Sequence, residues 1–433
     1  MPNLAQLLTS KSSVEQRRII DLCRELSADI ANVDGVYVVG GFVRDVILGR
    51  KPGDVDISVV GDAGAFSEAL ADRLGTSRPV ESEFLTYKIV DRKLGDGKLT
   101  DDDGATPVGA ATIDVVTARS ESYPEPAALP EVVPSSIEDD LRRRDFTVHS
   151  MAVSLSGSSW GNLVDPMNGF GDIMRKRIRV LHDSSFIDDP TRMFRAVRYA
   201  NRLDFSIDSR TEILIAESLG NVDLLSGARL RNEFELILAE PKRVDILRMS
   251  EELGLLAAIS HGLRVGSRSL KVLESPNSNA IEDLLALTTF GLSHEEAEQT
   301  AHRFDGPDAW TMTIKGNPRL ADLVTVLDRT DIRRSEIAEI LDAIPLPSIR
   351  AYIAAGPPLP RRDRMADYMD RIRFEKPEIT GDDLIAAGIP EGPVIGQLID
   401  LVKRARLDGQ VNTKQEELKL AKSRLPGFLT GPG

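Results

Sequence analysis

The 433-residue chain has one cysteine, Cys23, five histidines and only 5% aromatic residues. A single cysteine excludes an intramolecular disulfide and any all-cysteine zinc site. No stretch approaches the roughly 18 to 20 uncharged apolar residues of a membrane span. The opening residues, Met1 to Arg18, lack a basic run followed by an apolar core, so no secretory signal is visible. A cytoplasmic protein without a membrane partner is the expectation. Positive charge is also in deficit. The net charge of −14 argues against a surface that coats nucleic acid, but it leaves room for a local basic groove. The remaining composition, 41% apolar and 28% charged, is that of a globular chain and excludes a fibre or a wholly disordered polymer. At about 150 residues per domain, the length suits roughly three domains.

Periodicity divides the chain unevenly. Helical apolar spacing over Ser13–Ile30 predicts an amphipathic helix. The β-branched run Gly35–Gly41 predicts a buried strand that enters a tight turn, followed by a helix over Phe42–Leu48. Further strands are expected at Asp54–Val60, Phe84–Val90, Ala111–Thr117 and Val148–Leu155. The Gly/Asp-rich stretch Asp91–Pro107 reads as a loop or hairpin tip. From Ile187 onward helical spacing dominates, with helices expected at 188–202, 212–219, 230–239 and 243–253. Prolines 345, 347, 357, 358 and 360 suggest a boundary between helical sub-domains. Periodicity therefore predicts an α/β first third and an all-helical remainder.

Asp54 and Asp56 are one residue apart. On a strand such residues share a face, which brings two carboxylates about 6 to 7 Å apart at the backbone. Unpaired, they would repel. A hard divalent cation such as Mg²⁺ relieves the repulsion and can clamp a triphosphate. Asp114 on a neighbouring strand is the candidate third carboxylate. The competing reading is that Asp54 merely begins a strand after a turn at Gly53. Gly40-Gly41 favours the first reading, because paired glycines after a buried strand let amide groups approach a phosphate. Arg44 lies one helical turn further on.

Val39-Gly-Gly-Phe-Val-Arg-Asp45 followed by Gly53-Asp-Val-Asp-Ile57 resembles the signature of class II tRNA nucleotidyltransferases and bacterial poly(A) polymerases. These belong to the polymerase-beta nucleotidyltransferase superfamily. Arg143-Arg-Asp-Phe-Thr147 is similar to the family's RRDFT block. The family usually continues Ile-Asn-Ala, whereas this chain has Val148-His149-Ser150. His149 is read as a hydrogen-bonded structural residue. Asp188-Asp-Pro-Thr-Arg192 resembles the EDxxR block, with Asp188 one methylene shorter than the family's glutamate.

The resemblance implies roles. Asp54 and Asp56, with Asp114, would be catalytic, the first two as Mg²⁺ ligands. Gly40, Gly41, Arg44, Arg144, Arg195 and Arg198 would hold the triphosphate or sugar. Asp189 and Arg192 would read the edge of CTP or ATP. Both cytosine and adenine carry an exocyclic amine that an aspartate can accept from. A loop after the third carboxylate, Thr117–Val133, would bear on which nucleotide is added. The implied fold class is α+β: a head with a mixed sheet and flanking helices (1–155), then a helical neck (156–265), body (266–360) and tail (361–433) that meets tRNA. The implied activity is addition of CMP, AMP or both to a tRNA 3′ end with release of pyrophosphate. A CC-adding or A-adding enzyme, a poly(A) polymerase and a non-catalytic RNA-binding protein are the alternatives. Between Arg142 and Arg202, 11 Lys/Arg face only 6 Asp/Glu, a basic segment suited to an acceptor end.

Overall fold

The computed structural model describes residues 3–82, 84–91, 111–357 and 359–429. Most of the predicted loop at 91–107 thus lies outside the described residues, as does Pro358. The chain forms two compact units, Met1–Ile259 and Ser260–Gly433.

The first unit opens with helices α1 (Ala5–Lys11) and α2 (Val14–Asp29). Ser13 and Gln16 form a capping box at the start of α2, which satisfies two amides that a helix N-terminus leaves open. Strand β1 (Val33–Val39) turns at Gly40 directly into α3 (Gly41–Ile47). Next come β2 (Val55–Gly61), α4 (Ala63–Leu74), β3 (Val80–Glu81), β4 (Thr86–Asp91) and β5 (Ala111–Thr117). Strands β6 (Arg119–Ser122) and β7 (Glu131–Pro134) pair as a separate antiparallel hairpin. Helix α5 (Ile137–Arg142) then leads through a 3-10 turn at Thr147–His149 into β8 (Ala152–Ser154) and β9 (Leu163–Val164). The predicted strand over Val148–Leu155 is therefore half turn and half strand.

Seven strands form one mixed sheet in the order β3-β4-β5-β2-β1-β8-β9. Within this sheet, among the described residues, only β2 and β5 run parallel. Their register sets Asp56 opposite Asp114, and the β4–β5 register sets Lys88 opposite Asp114 on the other side. Directly opposed residues share a face of the sheet. Val36, Val38, Ile57, Val59 and Val115 are buried in the sheet, and Ile20, Phe66 and Leu70 of α2 and α4 are buried with them. Cys23 is fully buried on α2, and burial pushes its thiol pKa up, which leaves it an unreactive core residue.

Helix α6 (Gly169–Met174), α7 (Ser185–Asp188) and α8 (Thr191–Leu203) follow. The single helix predicted over 188–202 is thus interrupted. Asp189 precedes Pro190 and adopts extended geometry, φ −140° and ψ 96°. The proline ring disfavours helical geometry for the residue before it. Helices at Ser209–Ser218, Gly227–Ala239 and Arg243–Glu252 complete most of this unit.

In the second unit every regular element among the described residues is helical. One core joins Leu327, Leu341, Ile349 and Met365, and a second joins Leu384, Leu398, Val402 and Ala421. Three of the prolines expected to mark a boundary, Pro345, Pro347 and Pro360, stand at helix starts. Pro345 and Pro347 flank the start of Leu346–Ala355, and Pro360 begins Pro360–Asp370. A first helical turn tolerates proline because its amide has no helical partner. No helix among the described residues is long and apolar enough to cross a membrane.

Candidate active site

A cleft of about 310 Å³ opens in the first unit, lined from one side by Gly40, Gly41, Arg44 and Asp56. Gly40 has φ +70° and ψ −133°, a conformation that side chains other than hydrogen resist. A Cβ placed there would stand 2.8 Å from Arg144 Nη1 and 3.8 Å from Asp56 Oδ2. The turn therefore presents bare backbone to the gap between a guanidinium and a carboxylate.

Arg143, Arg144 and Asp145 form the second side. Asp140, with a side chain wholly shielded from solvent, takes Arg143 on Oδ1 at 2.8 Å and Arg144 on Oδ2 at 3.1 Å. Burial pushes the Asp140 carboxyl pKa up, but Arg144 and Arg143 outweigh it and hold the group below its ordinary range. Glu121, from the β6–β7 hairpin, accepts from Arg143 at 2.8 Å, from Arg119 at 3.1 Å and from the Tyr123 hydroxyl at 3.0 Å. Burial, reinforced by Glu121 against the pull of Arg192, pushes the Tyr123 phenol up, so it stays a donor.

The third side comes from the break before α8 and from its first turns. Asp189 Oδ1 accepts from the Thr191 amide at 3.0 Å, from the Thr191 hydroxyl at 2.6 Å and from Arg229 at 2.7 Å. Every one of these bonds ends on Oδ1, which leaves Oδ2 as an acceptor. Buried Arg192 donates to Ser185 Oγ at 2.9 Å, to the Arg143 carbonyl at 3.0 Å and to the Tyr123 hydroxyl at 3.4 Å. Two of its five N–H donors remain for a ligand. Arg195 gives Nε and Nη2 to Asp145 Oδ2 at 3.0 and 2.9 Å. Burial raises the Asp145 carboxyl pKa, but the hydrogen bond from His149 and the charges of Arg195 and Arg192 hold it well below its ordinary value.

The cleft thus gathers Gly40, Gly41, Arg44, Asp56, Arg144, Asp189, Arg192 and Arg195. It does not gather every expected residue. Arg198 is fully buried, its three guanidinium nitrogens form no hydrogen bond, and its acidic neighbour Glu233 is 4.0 Å away. It packs beneath the cleft because α8 buries the face that carries it. Asp54 lies at the bend before β2, and Asp114 lies one strand over. Neither lines the cleft. Asp188 faces His182 at 3.8 Å on the far side of Arg192. The segment Thr117–Val133, expected as a loop, is largely the β6–β7 hairpin. Glu121, Tyr123, Arg143, His149 and Tyr199 also line the cleft. Of these, Arg143 sat in a recognised motif, His149 was read as structural, and Glu121 and Tyr123 lay in the segment expected to bear on nucleotide choice.

Among the described residues, no three His, Cys, Asp or Glu side chains converge as a metal-holding group. Asp56 and Asp114 nevertheless stand side by side on parallel strands. One or two carboxylates suffice for a hard divalent cation that completes its shell with water and substrate phosphate. The donor set fits such an ion.

Comparison with known proteins relates most of the chain to one family. Residues 36–179 match the family described as poly(A) polymerase head domain, and residues 204–264 match a probable RNA- and SrmB-binding site of polymerase A. An A-adding tRNA nucleotidyltransferase of Geobacter sulfurreducens is 37% identical over 414 residues. That alignment covers 89% of this chain but only 44% of the relative, so the chain spans less than half of that protein. An A-adding tRNA nucleotidyltransferase of Halalkalibacterium halodurans is 29% identical and aligns over 97% of this chain and 95% of its own length. The structure of an apo CCA-adding enzyme superposes with a TM-score of 0.77 at 26% identity, covering 98% of this chain and 99% of that one. The chain belongs to the family of tRNA nucleotidyltransferases and bacterial poly(A) polymerases.

Proposed function

We propose that the chain transfers a nucleoside monophosphate from CTP or ATP to the 3′ end of tRNA without a template, and that AMP is the group it adds. The carrying observation is the cleft itself. A phosphate-tolerant turn and a metal-competent carboxylate face an Asp/Arg pair across about 310 Å³. The A-adding names of the two relatives favour ATP over CTP.

The chemistry follows from the residues. The terminal ribose hydroxyl attacks the α-phosphorus, its proton leaves, and pyrophosphate departs. Gly40 and Gly41 admit the phosphates close to backbone. Arg144, Arg44 and Arg195 offset their charge, as fixed guanidinium groups do well. Asp189 Oδ2 accepts from the exocyclic amine of the base, and the remaining Arg192 donors meet ring acceptors. Uracil and guanine present a carbonyl there and would face a carboxylate instead. Mg²⁺ held by Asp56 and Asp114, with Asp54 near, would lower the cost of deprotonating the hydroxyl. A cytoplasmic setting, with tRNA and nucleotides as partners, belongs to this reading.

The test uses tRNA transcripts that end at the discriminator base, at C and at CC, each with labelled CTP or ATP. AMP incorporation on the CC primer alone is expected. Incorporation on all three would make it a full CCA-adding enzyme, and long A tails would make it a polymerase. No incorporation on any primer would overturn the assignment.

A further inference from the structure

We propose that His149 is a positioning residue that holds Arg44 in place for the triphosphate, and that it does so only as a neutral ring. This rests on the reading of the cleft as a nucleoside triphosphate site. Arg44 Nη1 lies 2.5 Å from His149 Nε2. A guanidinium has donors only, so Nε2 must accept. The single ring proton then sits on Nδ1 and is donated to Asp145 Oδ1 at 2.8 Å. The partners fix the tautomer. The other oxygen of Asp145 holds Arg195 at 2.9 Å. A hydrogen-bonded chain, Arg44–His149–Asp145–Arg195, therefore ties α3 to α8 along the wall of the cleft.

The rest of the geometry clamps this chain. Asp45 grips the opposite edge of Arg44 at 2.9 and 3.0 Å. Tyr199 packs edge-on against His149, with centroids 4.4 Å apart, and accepts from Arg195 at 3.4 Å. Protonating Nε2 would set one N–H against another at bonding distance and push Arg44 away.

The charged groups around the ring oppose that protonation. Arg44 faces it from α3, with Asp45 already engaged by Arg44. Arg195 and Tyr199 face it from α8. The nearest charge on α6, Asp172, is engaged by Thr147 and Arg179. Only Asp145 favours a charged ring. Burial lowers the His149 pKa first, Arg44 and Arg195 lower it further, and Asp145 does not fully compensate. The ring is thus neutral near pH 7. As pH falls through its lowered value, Arg44 is released and nucleotide affinity drops.

Asparagine separates the two properties of the residue. Its amide offers one acceptor and a donor, as neutral imidazole does, but it does not titrate. In the full chain at pH 8, His149→Leu is expected to raise KM for ATP about tenfold, the effect of losing a bond to a charged group. Its kcat at saturating ATP should stay within about threefold. His149→Asn should return KM to within about threefold of wild type. Direct ATP binding by calorimetry at pH 8 and at about pH 5.5 completes the test. Wild type should lose more affinity in acid than H149N, because titration of the triphosphate itself is common to both. Should H149L fail to fold, this H149N comparison decides. ATP binding with an unchanged KM in H149L, or identical acid losses in wild type and H149N, would overturn the role of His149 alone. Absence of ATP binding by wild type at pH 8 would overturn the nucleotide-site reading, and this proposal with it.

Discussion

Asp56 and Asp145 both line the cleft, but their environments assign them different work. Asp56 sits on β2 beside Asp114, with its Oδ2 close to the bare backbone of Gly40. Removing its carboxylate deletes the proposed metal ligand. Asp56→Ala should therefore cut transfer on the order of a thousandfold, while tRNA affinity in a filter-binding assay stays within about twofold of wild type. Asp145 is instead structural wiring. It takes His149 on one oxygen and Arg195 on the other, and the Phe146 amide at 2.7 Å as well. Its carboxyl is held well below its ordinary value. A group depressed in the folded state adds stability above its unfolded pKa, near ~4. That contribution is lost as pH falls through the folded value. Asp145→Asn leaves Arg195 without its anion in a buried site and should cost on the order of 3 kcal/mol at pH 7. Urea unfolding should show the gap between the two proteins narrowing below about pH 4. A constant gap would contradict the ion-pair account.

At the scale of elements, the segment 117–133 was expected as a loop that bears on nucleotide choice, but the hairpin it forms and the contacts of its side chains were beyond motif reading. Tyr123 donates to Glu121 on the hairpin and accepts from Arg192 in the first turn of α8. It steadies the guanidinium proposed to read the base. Tyr123→Phe keeps the ring and deletes both bonds. The ratio of kcat/KM for ATP over UTP should then fall about tenfold, the worth of one hydrogen bond to a charged group. What could be read from the sequence was contiguous: Gly40-Gly41, Asp54-x-Asp56, Arg143-Arg-Asp145 and Asp189-x-x-Arg192 each lie within a few residues. Glu121, Tyr123 and Tyr199 matter through contacts across dozens of residues, and no local spacing announces such contacts. Periodicity placed Arg192, Arg195, Arg198 and Arg202 within one sector of a helix. It could not tell that Arg198 turns inward toward Glu233 while Arg195 reaches the cleft. The break at Asp189 was legible in principle, since Pro190 constrains the residue before it. That break gives Asp189 the extended geometry from which its carboxylate both starts α8 and faces the cleft.

For the whole molecule, the question is how a chain of net charge −14 could hold the polyanion proposed as its substrate. Sequence counts gave residues 142–202 a basic surplus, but most of that charge is consumed inside the fold. Arg143 and Arg144 share Asp140, Arg179 pairs with Asp172, Arg195 with Asp145 and Arg202 with Glu240. Those arginines organise the cleft and the helices around it and have little long-range field to offer. The exposed remainder in this segment is Arg142 and the run Arg175, Lys176 and Arg177. Of that run, Arg177 is partly answered by Asp208 at 3.5 Å. Arg175 and Lys176 are thus the surface cations of the segment best placed to meet a phosphate backbone. Reversing both, with Arg175→Glu and Lys176→Glu, should weaken tRNA binding about tenfold or more at low salt. The slope of log affinity against log salt should also become shallower by about one to two, as expected when two phosphate contacts and their released counterions are lost. ATP affinity should be unchanged, since neither residue lines the cleft. Equal loss of ATP and tRNA binding would mean that the reversal damaged the fold, which a thermal melt would reveal. An unchanged salt slope would place the tRNA contact elsewhere on the chain.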